Sequence, residues 1–223
     1  MSSSANKTFD RAGVADYEKR RYRGLDQRLV DYREKHILRR ILIGLKKKGG
    51  PAWERDGKVL ILDAPCGYGR FSRLLLGTGA RLVSSDFAFN MVERAVENRE
   101  GGRHIGGVVA DFKRGLPFKS NVFEYVFSIR LFHHLHAGED REAVLREFAR
   151  VAKDGVILSF YRVQGLHAFQ RRLRRFFRRT RRTIMMVTEK TFEKEAASAG
   201  FRVERVVPLF RWIHAQNIAV LKK

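Results

Sequence analysis

The sequence predicts an α/β domain built on a doubly wound, mostly parallel sheet. Val59 to Leu62 form an apolar run that ends at Asp63, as expected for a buried strand of such a sheet. Gly67 and Gly69 follow, and without a Cβ they let the backbone turn sharply and approach a ligand closely. The apolar positions from Phe71 to Leu75 then indicate a helix packed back on the sheet. A strand, a glycine turn and a helix start make a site for a nucleotide-like ligand.

Composition indicates a folded and strongly basic protein. The chain has 223 residues, 44% of them hydrophobic, which is enough for one domain with a sizeable core. Its 46 Lys and Arg residues against 24 Asp and Glu give a formal net charge of +22. Such a field attracts nucleic acid, an anionic membrane leaflet or a phosphorylated substrate, although a basic surface also serves solubility alone.

Cysteine content and hydropathy indicate the cellular compartment. The single cysteine, Cys66, rules out an intramolecular disulfide and a cysteine cluster for zinc. No apolar run reaches membrane-spanning length, and the start of the chain lacks a secretory apolar region. We therefore expect a cytoplasmic protein, or one peripheral on the inner face of the membrane.

The stretch from Asp63 to Gly69 resembles motif I of the class I S-adenosylmethionine (SAM)-dependent methyltransferases. The acid and the last two glycines match, whereas Pro65 stands where the first glycine is usual. The GxGxxG spacing of nicotinamide enzymes is absent. The resemblance implies a Rossmann-like, seven-stranded sheet with an antiparallel final strand and helices on both faces. It also implies that the donor contacts Asp63, Ala64, Pro65, Cys66, Gly67 and Gly69.

Further donor contacts are implied along the next strands. Asp86 ends a second predicted strand, Arg81 to Asp86, where a carboxylate would accept hydrogen bonds from the ribose hydroxyls. Asp111 and Phe112 end a third predicted strand, 108–112, and would lie at the adenine. A helix cap or a solvated turn is the alternative for either acid. The resemblance places three more donor contacts around them: Phe87, Met91 and Ile129.

A pair of histidines follows the fourth predicted strand. His133 or His134 could take a proton from the methyl acceptor, since the pKa of histidine lies near neutrality, or could only orient the loop. His136 lies nearby without a thiol partner, so we expect no metal.

The chain divides into two parts in this interpretation. Residues 1–54 form an N-terminal segment, mostly helical from Tyr17 to Leu45, that would cover the pocket or only pack on the sheet. Residues 55–223 form the SAM-binding domain, whose last two strands, 201–207 and 216–221, suit the closing hairpin of the family. A helix over 188–199, capped by Thr188 or Thr191, precedes them.

An arginine-rich insertion interrupts the domain at about 164–183. Eight arginines fall between Arg171 and Arg182, and apolar residues recur there at helical spacing. This segment could lie on an anionic membrane, clamp RNA phosphates or hold an anionic small substrate. The residues assigned to that partner are Arg171, Arg172, Arg174, Arg175, Arg178 and Arg179.

The sequence thus predicts methyl transfer from SAM, which becomes S-adenosylhomocysteine. We expect a small-molecule or lipid acceptor, anionic or membrane-associated, because Ser128 to Leu131 lack the Asn/Asp-Pro-Pro-aromatic motif of many base methyltransferases. RNA methylation is the alternative. A non-catalytic SAM-binding protein is a third, because Pro65 departs from motif I.

Overall fold

The computed structural model describes residues 10–20, 24–49, 53, 58–97, 102–163, 184–211 and 214–223. The helices are α1 (Arg11–Arg20), α2 (Leu25–Lys48), α3 (Ser72–Leu76), α4 (Phe89–Glu97), α5 (Gly138–Val151) and α6 (Glu189–Ser198), with one 3₁₀ turn at Phe132–His134. The strands are β1 (Leu60–Asp63), β2 (Arg81–Asp86), β3 (His104–Val109), β4 (Phe123–Ser128), β5 (Ala152–Tyr161), β6 (Arg202–Pro208) and β7 (Gln216–Lys222).

The seven strands form one sheet in the order β3-β2-β1-β4-β5-β7-β6. The pairs among β1 to β5 are parallel, and β7 runs antiparallel between β5 and β6. This confirms the predicted doubly wound sheet with its antiparallel closing strand. Strand order reverses between β1 and β4, and the crevice beyond the carboxyl ends of such neighbours is where open α/β sheets bind ligands.

Alternating residues of the central strands supply two cores, one on each face of the sheet. Val126 and Leu158 belong to the core that packs against α5 and α6. Phe127 and Ile157, their chain neighbours, belong to the core that packs against α2. Side chains along a strand point alternately to opposite faces, so both faces need a helical cover. The N-terminal helix α2 therefore shares a core with the sheet.

Some predicted boundaries were wrong. The third strand spans His104–Val109 and not 108–112, so Asp111 lies in the loop after it. Gly106 and Gly107 have low strand propensity, so the sequence did not predict a strand here. In the structure a Cβ on Gly107 would lie 2.3 Å from a methyl carbon of Val92 in α4. Close packing of α4 on β3 thus requires the glycine.

The helical boundaries also differ at the N-terminus. The single mostly helical stretch predicted from Tyr17 to Leu45 is two helices, and extended backbone at Gly24 precedes the start of α2. Near the other end, the predicted cap is confirmed, since the Thr188 hydroxyl accepts a hydrogen bond from the Thr191 N–H at the start of α6. Among the residues described, no helix is both long and apolar enough to cross a bilayer.

Candidate functional site

Two carboxylates lie at the carboxyl ends of the neighbouring strands β1 and β2. Asp86 accepts hydrogen bonds from the Gly67 N–H at 2.9 Å and from the Ala88 N–H at 3.1 Å. The Cys66 N–H donates to the Ser85 carbonyl at 2.8 Å. These bonds tie the glycine turn after β1 to the end of β2.

Asp63 is buried without a hydrogen-bond partner. Asp63 is 1% exposed, and neither of its carboxylate oxygens has a partner within the described parts of the chain. Burial raises the pKa of Asp63 well above its ordinary value of 3.8, and the neighbouring Asp86 raises this pKa further. Burial also raises the pKa of Asp86, although backbone N–H donors oppose that shift. A cationic group beside these two carboxylates would offset both the burial of Asp63 and its repulsion by Asp86.

The glycine turn leaves room in front of these carboxylates. Gly67 has φ +51° and Gly69 has φ +84°, which are left-handed values that glycine adopts without strain. A Cβ added at Gly67 would meet no atom within 4 Å, so its backbone faces open space. A Cβ added at Gly69 would lie 2.9 Å from the Ala95 Cα, so here the absence of a side chain serves packing against α4.

Pro65 and Cys66 complete the turn. The Ala64–Pro65 peptide is cis, and the Ala64 N–H donates to the Phe127 carbonyl of β4 at 2.8 Å. The Cys66 side chain is buried, and its Sγ lies 3.3 Å from the Gly67 carbonyl oxygen. Burial, with Asp63 and Asp86 nearby, raises the pKa of the Cys66 thiol well above 9.0, so we expect an unreactive thiol.

The other residues assigned to the donor have varied surroundings. Phe87 is 52% exposed beside Asp86, whereas Met91 is buried in α4. Asp111 lies in its loop, paired with Arg114 at 3.5 Å. Phe112 is buried in the main core with its ring 6.3 Å from that of Phe148.

Ile129 is also buried, directly after β4. It belongs to the core under α2 and comes immediately before Arg130, which joins the cluster described next.

A buried cluster of charges, which sequence reasoning missed, joins α2 to the site loops. The Glu34 carboxylate contacts the Arg70 guanidinium at 2.6 Å and that of Arg130 at 3.0 Å, and the Gln216 side chain donates to it. Arg70 also contacts Asp31 at 2.5 Å. Arg70 directly follows Gly69, and Arg130 directly follows Ile129, so the cluster fixes α2 over both loops.

The charge of Glu34 is held in place by its partners. Burial opposes ionisation, but Arg70 and Arg130 outweigh it and lower the pKa of Glu34 below its ordinary value of 4.5. Arg130 has φ +69°, an uncommon conformation for a residue with a side chain. Its N–H donates to the Ser159 hydroxyl of β5 at 2.8 Å, which helps to retain this backbone.

The histidine pair lies in the 3₁₀ turn after β4. The rings of His133 and His134 have centroids 3.9 Å apart, and the His133 ring lies 5.1 Å from that of Tyr161. The ring of His214, which precedes β7, lies 6.1 Å from that of Tyr161. An aromatic wall therefore stands beyond the carboxyl ends of β4 and β5. No pattern in the sequence indicated that Tyr161 and His214 would join the histidine pair.

Some predicted residues cannot be placed. The arginine-rich insertion, with Arg171, Arg172, Arg174, Arg175, Arg178 and Arg179, lies outside the described residues. Within the part of the chain that is described, no three His, Cys, Asp or Glu side chains group as metal ligands.

The residues present fit SAM as the donor. Its amino and sulfonium groups are cationic and would offset the charge of Asp63 and Asp86, since neither carboxylate oxygen of Asp63 has a partner among the described residues. The open space at Gly67 leaves room for a ligand against bare backbone. Asp86 stands at the end of β2, where ribose hydroxyls bind in nucleotide-binding α/β folds.

The fold and the site are those of the class I SAM-dependent methyltransferases. Residues 62–160 match the family model described as a methyltransferase domain, as the resemblance predicted. The chain is 35% identical over 100 residues to a demethylmenaquinone methyltransferase of Thermobifida fusca. The aligned stretch covers 43% of this chain and 40% of that protein. It is 30% identical over 103 residues to a malonyl-[acyl-carrier protein] O-methyltransferase of Hamiltonella defensa, 46% of this chain and 37% of that one. The chain thus spans less than half the length of these curated relatives.

Solved structures show the same fold. Magnesium protoporphyrin IX methyltransferase of Synechocystis PCC 6803, with bound S-adenosylhomocysteine, superposes with a TM-score of 0.76 at 19% identity, covering 100% of both chains. A putative methyltransferase in complex with the Trm112 activator of Haloferax volcanii has a TM-score of 0.59 at 17% identity, covering 81% of this chain and 92% of that one.

Proposed function

We propose that the protein transfers a methyl group from SAM to a small-molecule or lipid acceptor that is anionic or membrane-associated. The observation that carries the proposal is the unpartnered, buried Asp63 beside Asp86 and the open backbone at Gly67, within a domain of this family. When bound, SAM supplies a methyl group already activated on a sulfonium. The protein then mainly has to hold an acceptor in line with that methyl group.

The residues of the chain divide this task. Asp86 would accept hydrogen bonds from the ribose, and Asp63 would face the cationic part of the donor across the turn of Pro65, Cys66 and Gly67. Phe87, Met91, Asp111 and Phe112 would flank the adenine, and Ala64, Gly69 and Ile129 are the remaining proposed donor contacts.

We propose that one of the paired histidines acts on the acceptor. His134 is exposed, and His133 packs on Tyr161 at the open end of β4 and β5. A neutral imidazole there would take the proton that an oxygen or nitrogen acceptor loses as it is methylated. If one ring is that base, its replacement by alanine lowers turnover by about 10²–10⁴.

The acceptor class has support from the similar proteins. Their names specify demethylmenaquinone, a malonyl-acyl carrier protein and magnesium protoporphyrin IX, none of which is a nucleic acid. The net charge of +22 favours an anionic acceptor or surface, but equally supports RNA as the second candidate. The six arginines assigned within 171–179 belong to this same choice of partner.

Two measurements test the function. We expect calorimetry to detect SAM and S-adenosylhomocysteine at micromolar levels, with affinity falling at least tenfold in Asp86→Asn. Labelled SAM is then offered with fractionated lipid, small-molecule and RNA extracts, and label should enter a lipid or small-molecule fraction. Label in RNA alone would select the second candidate, and donor binding without transfer to any fraction would favour a non-catalytic SAM-binding protein.

A further inference from the structure

The long helix α2 has one buried and one outward face. Ile37, Leu38, Ile41, Leu42 and Leu45 are its buried hydrophobic residues and belong to the core under the sheet. On the opposite side, large apolar residues stand in solvent: Leu25 is 82% exposed, Leu29 57%, Tyr32 69% and Ile43 48%. Their spacing at 3.6 residues per turn places them on one stripe along the helix.

The same outward side is cationic. Five exposed basic residues lie within about 60° of the stripe at 100° per residue, namely Arg28, Arg39, Arg40, Lys46 and Lys47. The acids of α2 point elsewhere: Asp31 and Glu34 contact Arg70 on the inner side, and Asp26 lies about 100° from the stripe. We call the stripe with its five cations the α2 outer face.

We infer that the α2 outer face docks on an anionic lipid bilayer. An interfacial helix inserts apolar side chains at the boundary of the lipid headgroups, while Lys and Arg meet the anionic groups there. The α2 outer face offers both, with its apolar residues in the centre and its cations around them. The apolar side chains of the stripe have no partner among the phosphates of a nucleic acid, whose charge is neutralised by Lys and Arg.

Charge repulsion argues against the arginine-rich segment as a cover for the α2 outer face. The segment 171–182 carries eight arginines, and the cations of the α2 outer face would repel it. Docking at this face would bring the bilayer to the helix whose inner side holds Arg70 and Arg130 beside the donor site. The inference rests on the surface of α2 and does not require methyl transfer.

The first test measures co-sedimentation of the full chain with vesicles. We expect binding to phosphatidylcholine vesicles containing phosphatidylglycerol and almost none to phosphatidylcholine alone. The triple variant Leu25→Gln, Leu29→Gln, Tyr32→Gln should bind anionic vesicles at least tenfold more weakly. Replacing Arg39, Arg40 and Lys47 by Gln should reduce binding about a hundredfold, at roughly fivefold per cation. The matched control is Ile105→Gln with Ile184→Gln, which changes exposed apolar residues away from α2 and should leave binding unchanged.

A second test reads contact directly, and it uses the fact that the one cysteine, Cys66, is buried. An environment-sensitive dye on Leu29→Cys should shift to the blue on anionic vesicles, and the same dye on Ile105→Cys should not. Vesicle binding that persists in the apolar variant, with no dye shift at position 29, overturns the inference. So does loss of RNA retention in that variant with vesicle binding intact. Calorimetry with SAM on the same proteins tests the proposed function separately. If the unmutated chain does not bind SAM, the proposed function fails, but the inference about vesicle binding is unaffected.

Discussion

The buried Glu34 cluster makes a quantitative prediction about stability. Glu34→Gln keeps the shape of the side chain and removes the charge on which two guanidiniums converge. The Glu34 side chain is 0% exposed, and those of Arg70 and Arg130 are 9% and 17% exposed, so water replaces little of what is lost. Breaking a buried ion pair from one side costs about 3–5 kcal/mol, and we expect about 3 kcal/mol because Arg70 keeps Asp31.

The assay is chemical denaturation, with thermal melting as a second readout. In a domain of this size each kcal/mol lowers Tm by roughly 2–4 °C, so a fall of about 6–12 °C is expected. The matched control is Glu204→Gln, which breaks the exposed pair with Lys48 at 2.8 Å and should change stability by less than about 1 kcal/mol. Equal losses in the two variants would refute the assignment of a buried, charge-dependent cluster.

The pH dependence of this difference follows from the lowered pKa of Glu34. An acid whose pKa is lower in the folded than in the unfolded state stabilises the fold above its unfolded pKa, here near 4.5. That contribution is lost as pH falls through the lower, folded pKa. The difference in stability between the unmutated chain and Glu34→Gln should therefore be constant above about pH 5 and shrink in acid.

Three further predictions concern the site and one helix end. The pKa of Asp63 is raised in the folded state, so the fold loses stability as pH rises above 3.8. In denaturation experiments Asp63→Asn should therefore become more stable than the unmutated chain as pH rises. Calorimetry should show that the same variant binds SAM more weakly. Gly67→Ala should lower SAM affinity with a stability loss of about 1 kcal/mol, whereas Gly69→Ala, which meets Ala95, should lose more stability; the reverse order would contradict the two roles. Thr188→Ala should cost about 1 kcal/mol in denaturation through the lost cap, and no change would contradict it.

Local chemistry made much of this protein predictable from its sequence. The strand, glycine turn and helix from Val59 to Leu76 follow from apolar patterning and from glycine, which acts within a few residues. The same holds for the Thr188 cap. The strand at His104–Val109 was misplaced because its glycines are explained only by α4 packed above them.

The sequence by itself determined the order of the strands along the chain, the motif that carries Asp63, Gly67 and Gly69, and the excess of positive charge. Only the tertiary structure decided that Glu34 meets Arg130 and Gln216, which lie 96 and 182 positions away along the chain. It also decided which side of α2 is turned to solvent, since both of its faces carry apolar residues. Periodicity reveals a stripe, but burial depends on what folds against it, and that contact is formed by residues distant in sequence.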